Sequence, residues 1–92
     1  MSVWERIRRK IRNHDYYVSS HADEEMVEDP LELEDLEHAL LTGARPKRLT
    51  HDPRGARYRV EGCALDGRVI VVGCRFQSDA ILVIVTAYTK DE

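Results

Sequence analysis

The sequence predicts an α+β fold: two to three N-terminal helices packed on one face of a four-stranded antiparallel sheet. Three observations predict it. Up to Gly43 the apolar residues recur at helical spacing. Beyond Gly43 they alternate or run continuously, as in strands. Short turn signals, "DPRG" and "LDGR", separate those later stretches. Helices followed by a run of strands give segregated layers rather than alternating βαβ units.

The elements follow in order. In "SVWERIRRKI" Val3, Trp4, Ile7 and Ile11 share one side of a helix expected over residues 2–12, with Arg6, Arg8, Arg9 and Lys10 around them. "YYVS" is a short extended segment or the approach to the next helix. Ser20 is the expected cap of a helix from His21 to Glu28, with Ala22 and Met26 inward. "EDPLELEDLEHALLTG" offers Asp29 as N-cap, Pro30 as the first helical residue and Glu32 as its capping-box partner. Leu33, Leu36, Leu40 and Leu41 form its apolar stripe. Gly43 fits the position after the helix that takes a positive φ.

Four strands are expected next. "RPKRLTH" lies near an edge, because Pro46 cannot complete a ladder. "ARYRVEGCA", "RVIVVGCRF" and "AILVIVTAYT" follow, the last two apolar enough to be central. A two-residue Asp66-Gly67 loop sets Tyr58 opposite Arg75 and Arg59 opposite Cys74. A Ser78-Asp79 loop sets Arg75 opposite Leu82 and Val71 opposite Thr86. One face then collects Ile70, Val72, Cys74, Phe76, Ile81, Val83, Val85 and Ala87, a core face for the helices. The other collects Tyr58, Val60, Val69, Val71, Arg75, Leu82, Ile84, Thr86 and Tyr88. A slip of one residue exchanges the faces, and Gly73 is a candidate bulge.

Ninety-two residues suffice for one domain and one modest core. Apolar residues make up 42% and charged residues 34%, the composition of an ordinary globular chain. No apolar run approaches the ~20 residues of a membrane span. "MSVWERIRRK" leads into no apolar core of an export signal, so the expected location is cytoplasmic. Cys63 and Cys74 are then expected to be buried thiols rather than a disulfide.

The net charge of −3 is unevenly spread. Residues 1–20 carry five basic and two acidic side chains, residues 21–42 nine acidic and none basic, and residues 43–92 nine basic and six acidic. An acidic helical segment faces a basic arm and a basic sheet. This is either a solvated acidic face or a basic surface that suits a polyanion.

"SSHADEEM", "LEDLEHALLTG", "RGARYRVEG", "DGRVIVV" and "VIVTAY", in this order, resemble the bacterial family of uncharacterised domains DUF4258. The resemblance covers roughly residues 17–90. It implies the RelE/barnase-like ribonuclease fold, many of whose members are RNA-cleaving toxins paired with antitoxins. It marks His21, Arg57 and Tyr58 of "ARY", Gly62, and Thr86 and Tyr88 of "TAY". Relatives often carry a histidine just after "DGR", where this chain has Val69 to Val72. Fold membership does not by itself transfer activity.

Metal-independent RNA cleavage needs a base for the 2′-hydroxyl, a proton for the leaving oxygen and cations for the phosphate. The expected catalytic set is His21 as base, Arg57 on phosphate, Thr86 as a hydrogen-bond donor and Tyr88 as proton donor. Arg59, Arg75 and Tyr58 are the expected RNA-binding set, by guanidinium contacts and stacking. The implied partners are RNA or the ribosome, and an antitoxin protein; the exposed sheet face suits a homodimer as well. The plainer reading makes His21 a local cap, Thr86 and Tyr88 packing residues, and the arginines edge guards. In that case the chain is a non-catalytic protein-interaction module. His14, His21, His38 and His51 lack ligand spacing, His38 falling on a solvated helix face. No nucleotide loop or nucleophile elbow is present, so neither metal nor cofactor is expected.

Overall fold

Ser2 accepts a hydrogen bond from the Glu5 amide and starts helix α1, Val3–Arg12, in the computed structural model, which describes residues 1–49 and 55–90. Ile7 and Ile11 are the buried side of α1, as their spacing requires. The chain then turns through Asn13–Asp15, with His14 at a φ of 58°. Strand β1, Tyr16–Val18, follows. Ser19 rather than Ser20 caps helix α2, Ser20–Glu28, by accepting from the Ala22 amide. Ala22 and Met26 are buried.

Helix α3, Leu33–Thr42, starts later than "DP" suggests. Its cap is Glu32, in a reciprocal capping box with Asp35. Asp35 is buried because it does two jobs: Oδ2 accepts from the Glu32 amide at 2.8 Å and Oδ1 from the Leu65 amide at 2.9 Å. One carboxylate thus starts α3 and ties it to the loop after the next long strand. Leu33, at the first helical position, is exposed; Asp35, Leu36, Ala39 and Leu40 form the buried side. Gly43 is extended (φ −75°), not left-handed. Its requirement is close approach: a Cβ there would stand 2.4 Å from the Ala39 carbonyl oxygen.

Strands β2 (Lys47–Leu49), β3 (Arg57–Cys63), β4 (Val69–Phe76) and β5 (Leu82–Thr89) form the expected antiparallel meander. The "DPRG" turn lies mostly outside the described residues. The sheet is five-stranded and mixed, not four-stranded and antiparallel: its order is β1-β5-β4-β3-β2, and β1 runs parallel to β5. Leu82 donates to the Asp15 carbonyl and Ser19 to the Ile84 carbonyl, which anchors β1 at both ends. The extended "YYVS" segment is β1, but its pairing with a strand some 66 positions away carries no local sequence signal.

The register also differs from the two-residue-loop expectation. Leu65-Asp66-Gly67 is a three-residue loop closed by the Ala64–Arg68 pair, with Gly67 at a φ of 93°. The left-handed glycine absorbs the extra residue as a bulge. Tyr58 therefore pairs with Cys74 and Arg59 with Gly73. A bulge lies where β5 passes Gly73, which pairs with Thr86 while Cys74 pairs with Ile84. Val85 is the extra residue, so Val85 and Thr86 both fall on the side away from the helices. A Cβ at Gly73 would meet the Thr86 methyl at 2.5 Å; glycine is required because two side chains crowd over it.

The helices share one core with one sheet face. Ile7, Ile11, Ala22, Met26, Leu36, Ala39 and Leu40 pack on Val60, Ile70, Val72, Cys74, Leu82, Ile84 and Ala87. Leu82 and Ile84, expected on the open face, are core; Val83 and Val85 are on the open face instead. The bulge restores the expected parity at Thr86, Ala87 and Tyr88. Helix α3 lies close against the sheet at Gly62, where a Cβ would come within 2.7 Å of the Ala39 carbonyl oxygen. Cys63 is exposed and only Cys74 is buried, both as free thiols. His38 is not a solvated bystander: its Nδ1 lies 2.9 Å from the Cys63 carbonyl oxygen. Among the described residues no helix is long and apolar enough to cross a membrane.

Candidate functional site

Beyond Ile84, β5 has no strand on its outer side, because the chain leaves β1 at Ser19 and becomes α2. Helix α2 covers that edge with carboxylates. Glu25 Oε1 accepts the Ala87 amide at 3.1 Å, and Asp29 Oδ2 accepts the Thr89 amide at 3.0 Å. The spacings agree: four helical residues rise ~6 Å and two strand residues ~6.8 Å. Ser19 adds a hydrogen bond to the Val85 carbonyl at 3.3 Å. Glu25 of α2 and Asp29 at its C-terminal cap thus replace a missing strand, which keeps the edge from templating other chains.

Glu25 does more than cover an edge. Its Oε1 also accepts from the Thr86 hydroxyl, and it lies 3.3 Å from Nε2 of His21, one helical turn back. His21, Glu25 and Thr86 therefore meet at one oxygen. The imidazole is about 69% exposed, whereas the Glu25 side chain is about 22% exposed. The ring is thus tethered at one nitrogen and open to solvent elsewhere. Thr86 has its hydroxyl hydrogen committed to Glu25, so its part is to hold Glu25 rather than to donate to a phosphate. Glu25 is the residue missed by sequence reading. The His-x-x-x-Glu spacing was the available signal, hidden among nine acidic residues between 21 and 42.

The open face of the sheet carries the cations. Lys47 and Arg59 are paired across β2 and β3, and Arg59 pairs with Gly73, which pairs with Thr86. Arg59 is therefore two strand spacings from Thr86, roughly 10 Å between backbones. Arg57 and Arg75 fall on the same face by alternation, Arg75 opposite Val83. Tyr88, opposite Val71, is on that face two residues beyond Thr86. Glu61 shares it but is matched by Lys90 at 2.6 Å, whose ammonium holds the carboxyl below its ordinary range. The face is thus basic overall, and Val71 and Val83 are buried beneath its long side chains.

Of the sequence-predicted residues, His21 and Thr86 are joined through Glu25. Arg57, Arg59, Arg75 and Tyr88 share the face that Thr86 borders. Tyr58 does not: it points to the helix side, edge-on to Phe76 with ring centroids 6.1 Å apart. The three-residue loop explains this, because a one-residue register change moves Tyr58 to the core face. Among the described residues no three His, Cys, Asp or Glu side chains are grouped to hold a metal ion.

Fold and site together define a small α+β domain with a basic open sheet face and a tethered histidine at its rim. The chain belongs to the DUF4258 family, a domain of unknown function, whose model matches residues 18–89. The matched segment runs from the end of β1 through β5, so it contains α2 and every residue of the site. No curated protein matches the chain at significant similarity.

Proposed function

We propose that this chain is a small RelE-like cytoplasmic protein that binds RNA across its open sheet face and cleaves it without a metal, as the toxin of a toxin–antitoxin pair. The observation that carries this reading is the shared Glu25 oxygen that links His21 to Thr86 at the border of an arginine-bearing sheet. The RelE/barnase-like fold assignment is supported by helices that precede the β2–β5 meander. In the proposed reaction His21 takes the 2′-hydroxyl proton, and O2′ attacks phosphorus. Tyr88 protonates the departing 5′ oxygen, and a 2′,3′-cyclic phosphate remains. Glu25 orients the ring. Arg57, Arg59 and Arg75 offset the phosphate charge.

Binding is the first thing to test. Fluorescence anisotropy with single-stranded RNA should give a complex that weakens steeply with salt. Arg59→Ala and Arg75→Ala should each weaken it several-fold. Salt-independent binding, or none, would remove the RNA reading.

One observation favours a second reading, a non-catalytic protein-interaction module that keeps the fold. The strand after "DGR", where the family resemblance implies a histidine, presents only Val69, Ile70, Val71 and Val72, and the last three are buried. A specific protein complex that forms without RNA would favour this alternative.

A further inference from the structure

The same sheet edge that α2 covers beside β5 is left open at β1. The ladder to β5 uses the backbone groups of Asp15, Tyr17 and Ser19. Those of Tyr16 and Val18 point the other way, and among the described residues neither amide has a partner. A groove of about 730 Å³ runs between β1, α2 and the start of α3. Met26 and Leu31 are its buried floor, while Val27 and Leu33 stand at its rim, 79% and 46% exposed. Its polar rim carries the carboxylates of Asp23 and Glu32, with the His14 imidazole at the β1 end. An unpaired strand edge next to exposed aliphatic side chains is the arrangement that receives an added strand.

We propose that this groove binds an extended segment of another protein, which adds a strand to β1. The segment places alternate aliphatic side chains between Val27 and Leu33 and basic side chains on the acidic rim. Charge selects this occupant: the carboxylates of the groove's lining are Asp23 and Glu32, and no lysine or arginine stands among its lining residues. A second copy of the chain fits poorly, because edge-to-edge pairing of two β1 strands brings the same acidic helices toward each other. The proposal stands apart from the RNA reading, since the groove is lined by β1, α2 and α3 rather than by the basic open face.

The test uses the full ¹⁵N-labelled chain and a six-residue peptide that alternates valine with lysine or arginine. A control peptide carries glutamate in the basic positions. The basic peptide should shift the amides of Tyr16, Val18, Val27 and Leu33. At saturation it should slow hydrogen exchange at Tyr16 and Val18 at least tenfold. Val27→Glu, an exposed position that leaves the core intact, should weaken the aliphatic contact at least fivefold. Asp23→Lys should narrow the preference for the basic over the acidic peptide. The proposal is overturned by no shift at millimolar peptide, by shifts confined to the basic sheet face, or by equal binding of both peptides. It is also overturned if these amides move with protein concentration alone, which would make the occupant a second copy.

Discussion

Glu25 of α2 accepts the hydroxyl hydrogen of Thr86 on β5, 61 residues away in sequence. The same oxygen accepts the Ala87 amide, so one carboxylate fastens a helix to a strand edge and tethers His21 above it. Removing the acceptor leaves a half-buried amide without its partner, which costs roughly 1–3 kcal/mol. Glu25→Ala should therefore lower the free energy of unfolding in urea by about that amount. The amides of Ala87 and Thr89 should exchange faster, with little change at Val72. Thr86→Val, which keeps shape and the Ala87 bond, should cost less, about 1 kcal/mol.

Asp35 is a stronger structural dependence. Its two oxygens serve the Glu32 and Leu65 amides from a nearly buried position. Asp35→Ala loses the helix start and the tie to the β3–β4 loop together, and should cost about 2–4 kcal/mol. Asp35→Asn keeps only part of this and should fall between. Urea midpoints of the three proteins give the order directly.

Two glycines should respond differently to alanine. At Gly62 the added methyl meets the Ala39 backbone, so α3 must lift from the sheet; overpacking of this kind costs about 1–3 kcal/mol. At Gly67 nothing lies within 4 Å, and the penalty is only the left-handed backbone, about 1 kcal/mol. Thermal melts should place Gly62→Ala below Gly67→Ala, and the latter below the parent protein.

The thiols should separate cleanly. Burial pushes the Cys74 thiol up to about 12, while Cys63 is exposed. An aromatic disulfide reagent at pH 8 should titrate one thiol rapidly and the second only in denaturant. Tyr16 is raised in the same direction, first by burial and then by its hydrogen bond to Glu37. For both groups the folded state holds its proton after the unfolded chain has released it. Their contribution is complete below the unfolded values, near 8.5 for cysteine and 10 for tyrosine, and is lost as pH rises above them. Urea midpoints should fall between pH 8 and pH 11, and Tyr16→Phe should flatten the fall.

The change of hydrophobic period at Gly43 made the order of helices and long strands legible, because local side-chain spacing dictates both. Ile7, Ile11, Ala22, Met26, Leu36 and Leu40 were readable as core for the same reason. Pairing was harder. The left-handed Gly67 turned a two-residue loop into three, and that single residue moved Tyr58 from the open face to the core. Gly73 was readable as a bulge, yet the crowding of Val85 and Thr86 above it requires the tertiary pairing. Strand β1 has no sequence signature beyond three residues, since its hydrogen bonds lie with a strand at the other end of the chain. Within the site, His21 and Thr86 were legible through the family resemblance. Glu25 was masked by its acidic neighbours, because its role depends on which carboxylate of a charged helix meets a strand edge.

The central claim is that the histidine tethered by Glu25 acts on RNA bound to the basic face. Its most direct test is the single-turnover cleavage rate of single-stranded RNA or ribosome-bound message, in the presence of a chelator, for the parent chain, His21→Ala and Tyr88→Phe. A base held at the reacting hydroxyl contributes about 10²–10⁴-fold. The parent should yield 2′,3′-cyclic phosphate ends, and folded His21→Ala should be slower by at least a hundredfold, with Tyr88→Phe also impaired. Equal rates for all three proteins, or no cleavage by the parent chain, would contradict the account.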